Sequence, residues 1–387
     1  MAEASVASSS CDDEEENREI DTSWSDLPSD LLSLILSNLA AADVFAFKAV
    51  CKSWKQVIPP PLPLSPSPNS LFFASPSLIC CLKSDSTKMF HPLHNKFYHV
   101  MGTLPQESVL HCSKYGWLLM NWGRGSHPCF IDPFRRIRFR LPSCNHNFLT
   151  MSFFSRPSSL NWTIVGIVEC EDFGTNVIAT LKSGEKSWRI CQCETRRYFR
   201  VSCPPVLFQG MYYFLDIKGK VGILDPEHIE NGWKIFDSLK CRLRRFVRKR
   251  FMVRVDEQLV AVFVTHAERK VRVMKLNLLS MVWEPLQDLG DNTLYLSSSG
   301  SFARAALTKS MANTIYFPMF FENSGVFYSL KTGKYHSLDG KFCCRNSYGL
   351  TEREFGTWVQ PTAKKELGKR RIVNPPPPDH DLKIYWN

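Results

Sequence analysis

The largest group of cationic side chains is a run in the second half of the chain. Residues 240–250 carry seven Lys or Arg side chains in eleven positions, and a second basic group lies at 364–371. Such runs act as nuclear-import signals, bind the phosphates of nucleic acids or dock an acidic partner. A solvated loop between strands, with a polar tail, is the alternative. The residues of the predicted import or acidic-partner patch are Arg242, Arg244, Arg245, Arg248, Lys249 and Arg250.

Residue types that carry catalysis or hold metals do not occur here at useful spacings. The histidine cluster His91, His94 and His99 has no Glu or Cys at ligand spacing, so we expect surface or loop histidines. The chain lacks a Gly-rich phosphate loop, a nucleophile elbow and an H-E-x-x-H motif. Its 14 cysteines are irregularly spaced, which favours reduced thiols packed as small apolar residues. We predict no cofactor, no metal site and no catalytic residue.

Charge is unevenly distributed along the sequence. The formal net charge is +11, but residues 1–30 hold ten acidic side chains and one Arg, so the remainder carries about +20 (11 + 9). The acidic, Ser/Ala-rich segment 1–22 predicts a disordered tail, and it could fold back on the basic patches. It has no apolar stretch of a signal peptide, and no later run reaches the ~18 apolar residues of a membrane span. We therefore expect a protein of the nucleus and/or cytoplasm, not secreted and not membrane-bound.

Residues 23–58 show helical periodicity. Apolar side chains recur every four residues from Leu27 to Leu39, and Asp43 is placed to cap a second helix that ends before Pro59. A segment of this length usually needs a partner to cover its apolar surface, because chains below ~40 residues rarely form a sufficient core. The Pro/Ser-rich segment 59–70 predicts a semi-rigid linker that holds the module away from the rest. The alternative is a helical hairpin packed on the rest of the chain.

The series Trp24-Ser-Asp-Leu-Pro28, Ile35-Leu36, Asp43 and Val50-Cys-Lys-Ser-Trp54 resembles an F-box in residue types, order and spacing. The resemblance implies a three-helix module that binds a Skp-family adaptor and, through it, a cullin scaffold. The residues that the resemblance places at the adaptor interface, or in support of it, are Leu27, Pro28, Leu31, Leu32, Ile35, Leu36, Leu39, Val50, Cys51 and Trp54. Sequence alone does not separate interface contacts from the internal core of the module.

Residues 71–361 carry the pattern of many short antiparallel strands, as at 163–168 and 259–264. Strand–turn–strand units recur, and their turns are separated by 48, 50, 43, 52 and 54 residues. Four-stranded propeller blades repeat at ~40–50 residues, so we predict a β-propeller of about six or seven blades. Strands near Leu71 and in the basic tail at 362–387, around 383–386, are candidates for closing it. The six turns are taken at Ser84, Asp132, Lys182, Asp225, Asn277 and Lys331.

This half resembles the KIB-type propeller of plant F-box proteins. The segments that carry the resemblance are 277–296, 313–318 and 356–361. Together with the F-box it implies a mainly β protein with a small all-α module at its N-terminal side.

These features lead to one main hypothesis and two alternatives. The main hypothesis is a non-catalytic, substrate-recognition subunit of an SCF-type (Skp–cullin–F-box) ubiquitin ligase, whose propeller holds an unknown target protein. The first alternative is a basic nucleic-acid-binding propeller with a helical assembly module, although we do not expect nucleic acid as the partner. The second is a propeller enzyme or lectin, which requires carboxylates or metal ligands converging at the central channel.

Overall fold

The computed structural model describes residues 24–38, 47, 49–57, 75–81, 87–99, 108–121, 127–133, 137–169, 175–194, 199–238, 247–265, 270–353 and 355–360. The predicted acidic tail at 1–22, the linker at 59–70 and the basic tail at 362–387 lie outside these residues, as do Leu71 and the segment 383–386. The described part is mainly strand, with a small helical module that precedes it.

The helical module begins with a 3-10 turn at Trp24–Asp26, followed by α1 (Ser29–Asn38) and α2 (Lys52–Val57). Pro28 lies just before α1, and its carbonyl accepts the first helical hydrogen bond from the Leu32 N–H at 3.0 Å. A proline fits there because the first turn of a helix has no use for its missing N–H. Further 3-10 turns in the chain lie at Pro92–His94, Ile229–Asn231 and Lys309–Met311.

The strands form five four-stranded sheets and one seven-stranded sheet. The first sheet contains β1 (Ser77–Cys81), β2 (Thr87–His91), β3 (Lys96–His99) and β27 (Gly356–Val359). The second contains β4 (Val109–Lys114), β5 (Trp117–Asn121), β6 (Pro128–Asp132) and β7 (Ile137–Arg140). The third contains β8 (Phe148–Phe154), β9 (Thr163–Val168), β10 (Thr175–Lys182) and β11 (Arg189–Glu194).

The remaining three sheets follow in chain order. The fourth contains β12 (Val206–Phe208), β13 (Met211–Leu215), β14 (Val221–Leu224) and β15 (Lys234–Phe236). The fifth contains β16 (Val247–Val255), β17 (Gln258–Thr265), β18 (Val271–Asn277) and β19 (Val282–Pro285). The sixth contains β20 (Asn292–Leu296), β21 (Ser301–Ala305), β22 (Thr314–Phe321), β23 (Ser324–Ser329), β24 (Lys334–Ser337), β25 (Cys343–Cys344) and β26 (Thr351–Glu352).

The six sheets form a closed ring, because each one shares an apolar core with the next and the sixth shares one with the first. Strand β17 shows how the sequence builds two of these cores. Val260 and Val262 point toward the sixth sheet, whereas Ala261 and Phe263 point toward the fourth. Both faces of the strand are buried, which explains why 259–264 is an uninterrupted apolar run. The fold is therefore a β-propeller, as predicted.

The two ends of the propeller sequence meet in the first sheet. Strand β27 pairs antiparallel with β1, with Ser77 opposite Val359 and Cys80 opposite Gly356. The described closing strand is thus 356–359, in the segment that carried the family resemblance.

This closure also corrects one of the predicted turns. Those at Asp132, Lys182, Asp225, Asn277 and Lys331 fall at the connection between two neighbouring outer strands of a sheet. Ser84 instead falls between β1 and β2, which are the second and third strands of the first sheet. The first strand of that sheet is β27, which comes from the far end of the propeller sequence. The matching connection in the first sheet is the one between β2 and β3.

Candidate adaptor-binding surface and propeller surfaces

The described part of the helical module packs around two buried side chains. Leu32 is 1% exposed and Phe47 is 3% exposed. The half-buried side chains packed around these two are Leu27, Ile35, Leu36, Trp54 and Val57. The rings of Phe47 and Trp54 lie 4.5 Å apart between centroids. Five of the predicted adaptor-binding residues, Leu27, Leu32, Ile35, Leu36 and Trp54, therefore contribute to this core.

Hydrogen bonds hold the first turn of the module against α2. The Trp54 Nε1–H donates to the Trp24 carbonyl oxygen at 2.8 Å, and the Ser53 hydroxyl donates to the Ser25 carbonyl oxygen at 2.8 Å. Cys51 lies at the start of α2, with its Sγ 3.0 Å from the Ser53 Oγ. The hydrogen bond with Ser53 lowers the pKa of the Cys51 thiol.

A second set of apolar side chains in the module faces outward. Leu31 is 45% exposed and Val50 is 53% exposed, and Pro28 is exposed as well. Leu34 at 61% and Trp24 at 72% are more exposed than these, yet sequence reasoning did not select them. The sequence does contain a signal for Leu34. It lies three residues after Leu31, and residues three apart share a helix face. Leu39 lies outside the described residues, and the assignment of this surface to an adaptor stays a prediction.

The described end of the basic run is engaged with a carboxylate. Lys249 forms an ion pair with Glu352, and Arg248 Nη2 lies 3.8 Å from the Glu352 Oε2. Arg250 Nη2 donates to the Val247 carbonyl oxygen at 3.0 Å, and burial lowers the pKa of its guanidinium. Arg242, Arg244 and Arg245 lie outside the described residues. The import, acidic-partner and nucleic-acid interpretations stay predictions, and Glu352 offsets part of the charge that they invoke.

The expectation of surface or loop histidines is wrong for His91, which ends β2, whereas His94 lies in the connection between β2 and β3 but is not at the surface. Both side chains are buried, at the end of β2 and in the 3-10 turn that follows, with ring centroids 4.6 Å apart. His94 Nδ1 lies 2.6 Å from the Tyr98 hydroxyl oxygen. The proline at position 92 starts a turn that folds both rings inward, which histidine spacing alone does not show. The side chain of His99 is outside the described set.

A lysine ties three parts of the ring together near its centre. The first strands of neighbouring sheets approach one another there, as β4 does with β27 and with β8. Lys114 Nζ donates to the Ser152 Oγ at 2.6 Å and to the Pro205 carbonyl oxygen at 3.3 Å, and lies 4.4 Å from the centroid of the Phe154 ring. Burial lowers the pKa of Lys114. These partners connect the second sheet, the third sheet and the segment before β12.

Possible metal ligands, cysteines, cavities and helices of the described residues bear on what this chain could do. No group of three or more His, Cys, Asp or Glu side chains among them is arranged to hold a metal ion. Cys80, Cys112, Cys129, Cys144 and Cys203 are buried, and none of them forms a disulfide. A cavity of about 140 Å³ lies within the sixth sheet, lined mainly by apolar side chains with His336 and Cys343 at its edge. None of the described helices has the length and apolarity needed to cross a membrane.

Comparisons with known proteins agree with this architecture. Residues 86–341 match the KIB1-4 beta-propeller family, and residues 24–61 match the F-box domain. The F-box/kelch-repeat protein At1g57790 of Arabidopsis thaliana is 27% identical, over 87% of this chain and 94% of that protein. The F-box/kelch-repeat protein At3g18720 of the same plant is 26% identical, over 75% and 78%. The Arabidopsis F-box protein At4g12382 is 35% identical over 34% of this chain and 91% of its own length.

The propeller match covers well over half of the sequence, and the F-box match coincides with the helical module. F-box domains generally bind Skp1-type adaptors, and F-box proteins are typically non-catalytic subunits. This chain belongs to the KIB1-4 beta-propeller family and carries an F-box on the N-terminal side of its propeller.

Proposed function

We propose that this chain is the substrate-recognition subunit of an SCF-type ubiquitin ligase. The observation that carries the proposal is the exposed apolar surface of a module that matches the F-box, defined by Trp24, Pro28, Leu31, Leu34 and Val50. Five exposed apolar residues on so small a module indicate a surface that a partner covers. In this role the F-box binds a Skp-family adaptor and thereby a cullin, and the propeller holds a target protein.

The energetics fit a stable complex. Burying one Leu or Val side chain is worth roughly 1.5–3 kcal/mol. A few such residues dominate the affinity of most protein interfaces, with the remaining contacts serving complementarity. The internal residues Leu32 and Phe47 act differently, since they hold α1 and α2 together and so keep the outer face in shape.

The chain itself performs no chemistry in this proposal. It brings a lysine of the target close to a ubiquitin-charged enzyme bound elsewhere on the scaffold, which raises the effective concentration of the two reacting groups. The proposed organisation is a disordered tail at 1–22, the F-box at 23–58, a linker at 59–70, the propeller at 71–361 and a basic tail at 362–387. Nucleus and/or cytoplasm is the proposed location.

The test is capture of a purified Skp-family adaptor, alone and with cullin, by the full chain. The double variant Leu31→Asp/Val50→Asp changes two exposed positions of the outer face and leaves the internal core intact. We expect binding at least about 100-fold weaker, because two apolar burials are lost and each 1.4 kcal/mol is a factor of ten. Thermal unfolding of the variant should match wild type.

The matched control is Leu279→Asp, at a fully exposed leucine in the turn between β18 and β19. It places one such charge, against two in the double variant, on the propeller and should leave adaptor binding unchanged. If folded wild-type protein captures no adaptor, or if the double variant binds as well as wild type, the proposal is wrong.

A further inference from the structure

A second cavity of the propeller lies where the first and sixth sheets meet. Its volume is about 110 Å³ and it is lined by residues from both sheets. Cys80 and Lys88 come from β1 and β2, and Phe97 comes from β3. Asn323 comes from the turn between β22 and β23, and Arg353 directly follows β26. Among the described residues, the lining thus contains two cations and an amide and no carboxylate.

Aromatic packing gives this cavity a rigid floor. The rings of Phe90, Phe97 and Phe320 are in mutual contact, with centroids 5.1 Å apart for Phe90–Phe97, 4.9 Å for Phe90–Phe320 and 5.1 Å for Phe97–Phe320. Lys88 lies on the same face of β2 as Phe90, because side chains two apart in a strand share a face. Lys88 therefore stands at the edge of this aromatic cluster.

The position of Arg353 is set by its backbone. Its N–H donates to the Pro318 carbonyl oxygen at 2.8 Å, and its carbonyl oxygen accepts from the Gly356 N–H at 2.8 Å. Gly356 permits this close approach, since a Cβ there would lie 3.0 Å from the Arg353 carbonyl oxygen and 3.1 Å from the Pro318 Cβ. The backbone of Arg353 is consequently fixed beside the cavity by two neighbouring strands, β22 and β27.

Both cations of the cavity are without an ion-pair partner among the described residues. The carboxylate that precedes Arg353 in sequence, Glu352, pairs with Lys249 and Arg248 of β16. Glu354, which follows Arg353, lies outside the described residues. Glu322, next to Asn323, is exposed in the turn and does not line the cavity. Two cations that share one concave site repel each other, and a bound anion relieves that repulsion.

We propose that this cavity binds a phosphate-type oxyanion, with Arg353, Lys88 and Asn323 as its donors. Arginine matches the geometry of phosphate with two parallel N–H groups, and lysine adds a point charge. A phosphate monoester carries about −1.5 to −2 charges at neutral pH, which suits two cations better than a single carboxylate does. The volume is several times the ~10–15 Å³ that one water requires, so the cavity has room for one oxyanion group.

A phosphate-type oxyanion could come from two sources, and each implies a different role for the cavity. A phosphorylated side chain of the target would make the cavity part of target recognition, which rests on the proposed receptor function. A free small phosphate would make it a ligand site of the propeller that is independent of any adaptor. The oxyanion site itself is testable without adaptor or target, so its failure and the failure of the receptor proposal are distinguishable.

The experiment is calorimetric titration of the full chain with inorganic phosphate and, at matched ionic strength, with acetate. We expect phosphate to bind and acetate to bind at least tenfold more weakly. Arg353→Gln and Lys88→Gln should each weaken phosphate binding by about 10-fold or more, since a hydrogen bond to a charged group is worth ≈ 1.5–3 kcal/mol. The matched control is Arg345→Gln, which removes an exposed arginine that does not line the cavity.

A second arm uses a short phosphoserine peptide and the same peptide without phosphate. Binding of the phosphopeptide with the same dependence on Arg353 supports a phosphorylated side chain as the ligand, whereas binding of inorganic phosphate alone supports a small free phosphate. The site is overturned if folded Arg353→Gln and Lys88→Gln bind phosphate as wild type does. It is also overturned if acetate binds as well as phosphate, or if Arg345→Gln weakens binding equally.

Discussion

The helical module and the propeller use apolar residues in opposite ways. Among the described residues of the module, Leu32 and Phe47 are buried, and Trp24, Leu31, Leu34 and Val50 are exposed. In the propeller, apolar side chains fill a core between every pair of neighbouring sheets, and the ring closes on itself through β27 and β1. A region that covers its own apolar surface is stable alone, whereas one that leaves it open is shaped for a partner. The contrast supports a division of labour between adaptor binding and target holding.

The largest expected effect is a loss of stability when a core of the propeller is disrupted. Phe263 on β17 is fully buried between the fourth and fifth sheets, where its ring lies 6.2 Å from that of Trp283. Phe263→Ala leaves a cavity in that core and should lower the free energy of unfolding by about 3–5 kcal/mol. Chemical denaturation of the full chain, followed by intrinsic fluorescence, measures the change. A loss below about 1 kcal/mol would contradict the packed-core account.

An acid-dependent effect should also come from the propeller, because all ten histidines lie after residue 90 and none lies in the module. His111 on β4 is buried beside Phe148, and its Nε2 has no hydrogen-bond partner among the described residues. Burial lowers its pKa to about 4 from an ordinary value of 6.5. The unfolded chain therefore binds the proton more readily, and stability falls as the pH drops from about 6.5 toward about 4.

His111→Phe removes this titration while keeping a ring in place. The pH-dependent loss for wild type should exceed that for the variant by about 3 kcal/mol between neutral pH and pH 4, since each pKa unit is worth 1.36 kcal/mol. Urea denaturation of both proteins at several pH values gives the difference. Parallel curves for the two proteins would show that His111 is not buried in neutral form.

Sequence reasoning predicted the two regions and their types correctly, because both signals are local. The F-box series lies within about thirty residues, and five of six blade turns follow from strand–turn–strand units read along the chain. The assignment of Ser84 as the equivalent of the other five turns is wrong, because the first strand of that sheet comes from the other end of the sequence. Helical periodicity placed both Leu31 and Leu32 in the apolar pattern of a helix. Only the packing of Leu32 against Phe47 shows that Leu32 is internal and Leu31 is not.

The sites that sequence reasoning missed are formed by residues distant in the chain. Lys88 and Arg353 share a cavity only because the first and sixth sheets become neighbours when the ring closes. Likewise, the pairing of Lys249 with Glu352 joins β16 to β26 and removes part of the charge expected from the basic run. Spacing in sequence carries no information about such contacts, so neither was predictable without the topology.

The smallest expected effect on stability tests the other side of the contrast, at Leu34 on α1. Its side chain is largely exposed and stands apart from the internal core around Leu32. Leu34→Ser should change the free energy of unfolding by no more than about 0.5 kcal/mol, as exposed substitutions generally do. The same substitution should weaken adaptor binding by about tenfold if Leu34 is buried in the complex, because the apolar contact is then lost. Denaturation and adaptor titration on one preparation separate the two quantities. A large loss of stability would mean that α1 packs on another part of the chain through Leu34, and this face would then be internal to the protein rather than a surface for a partner.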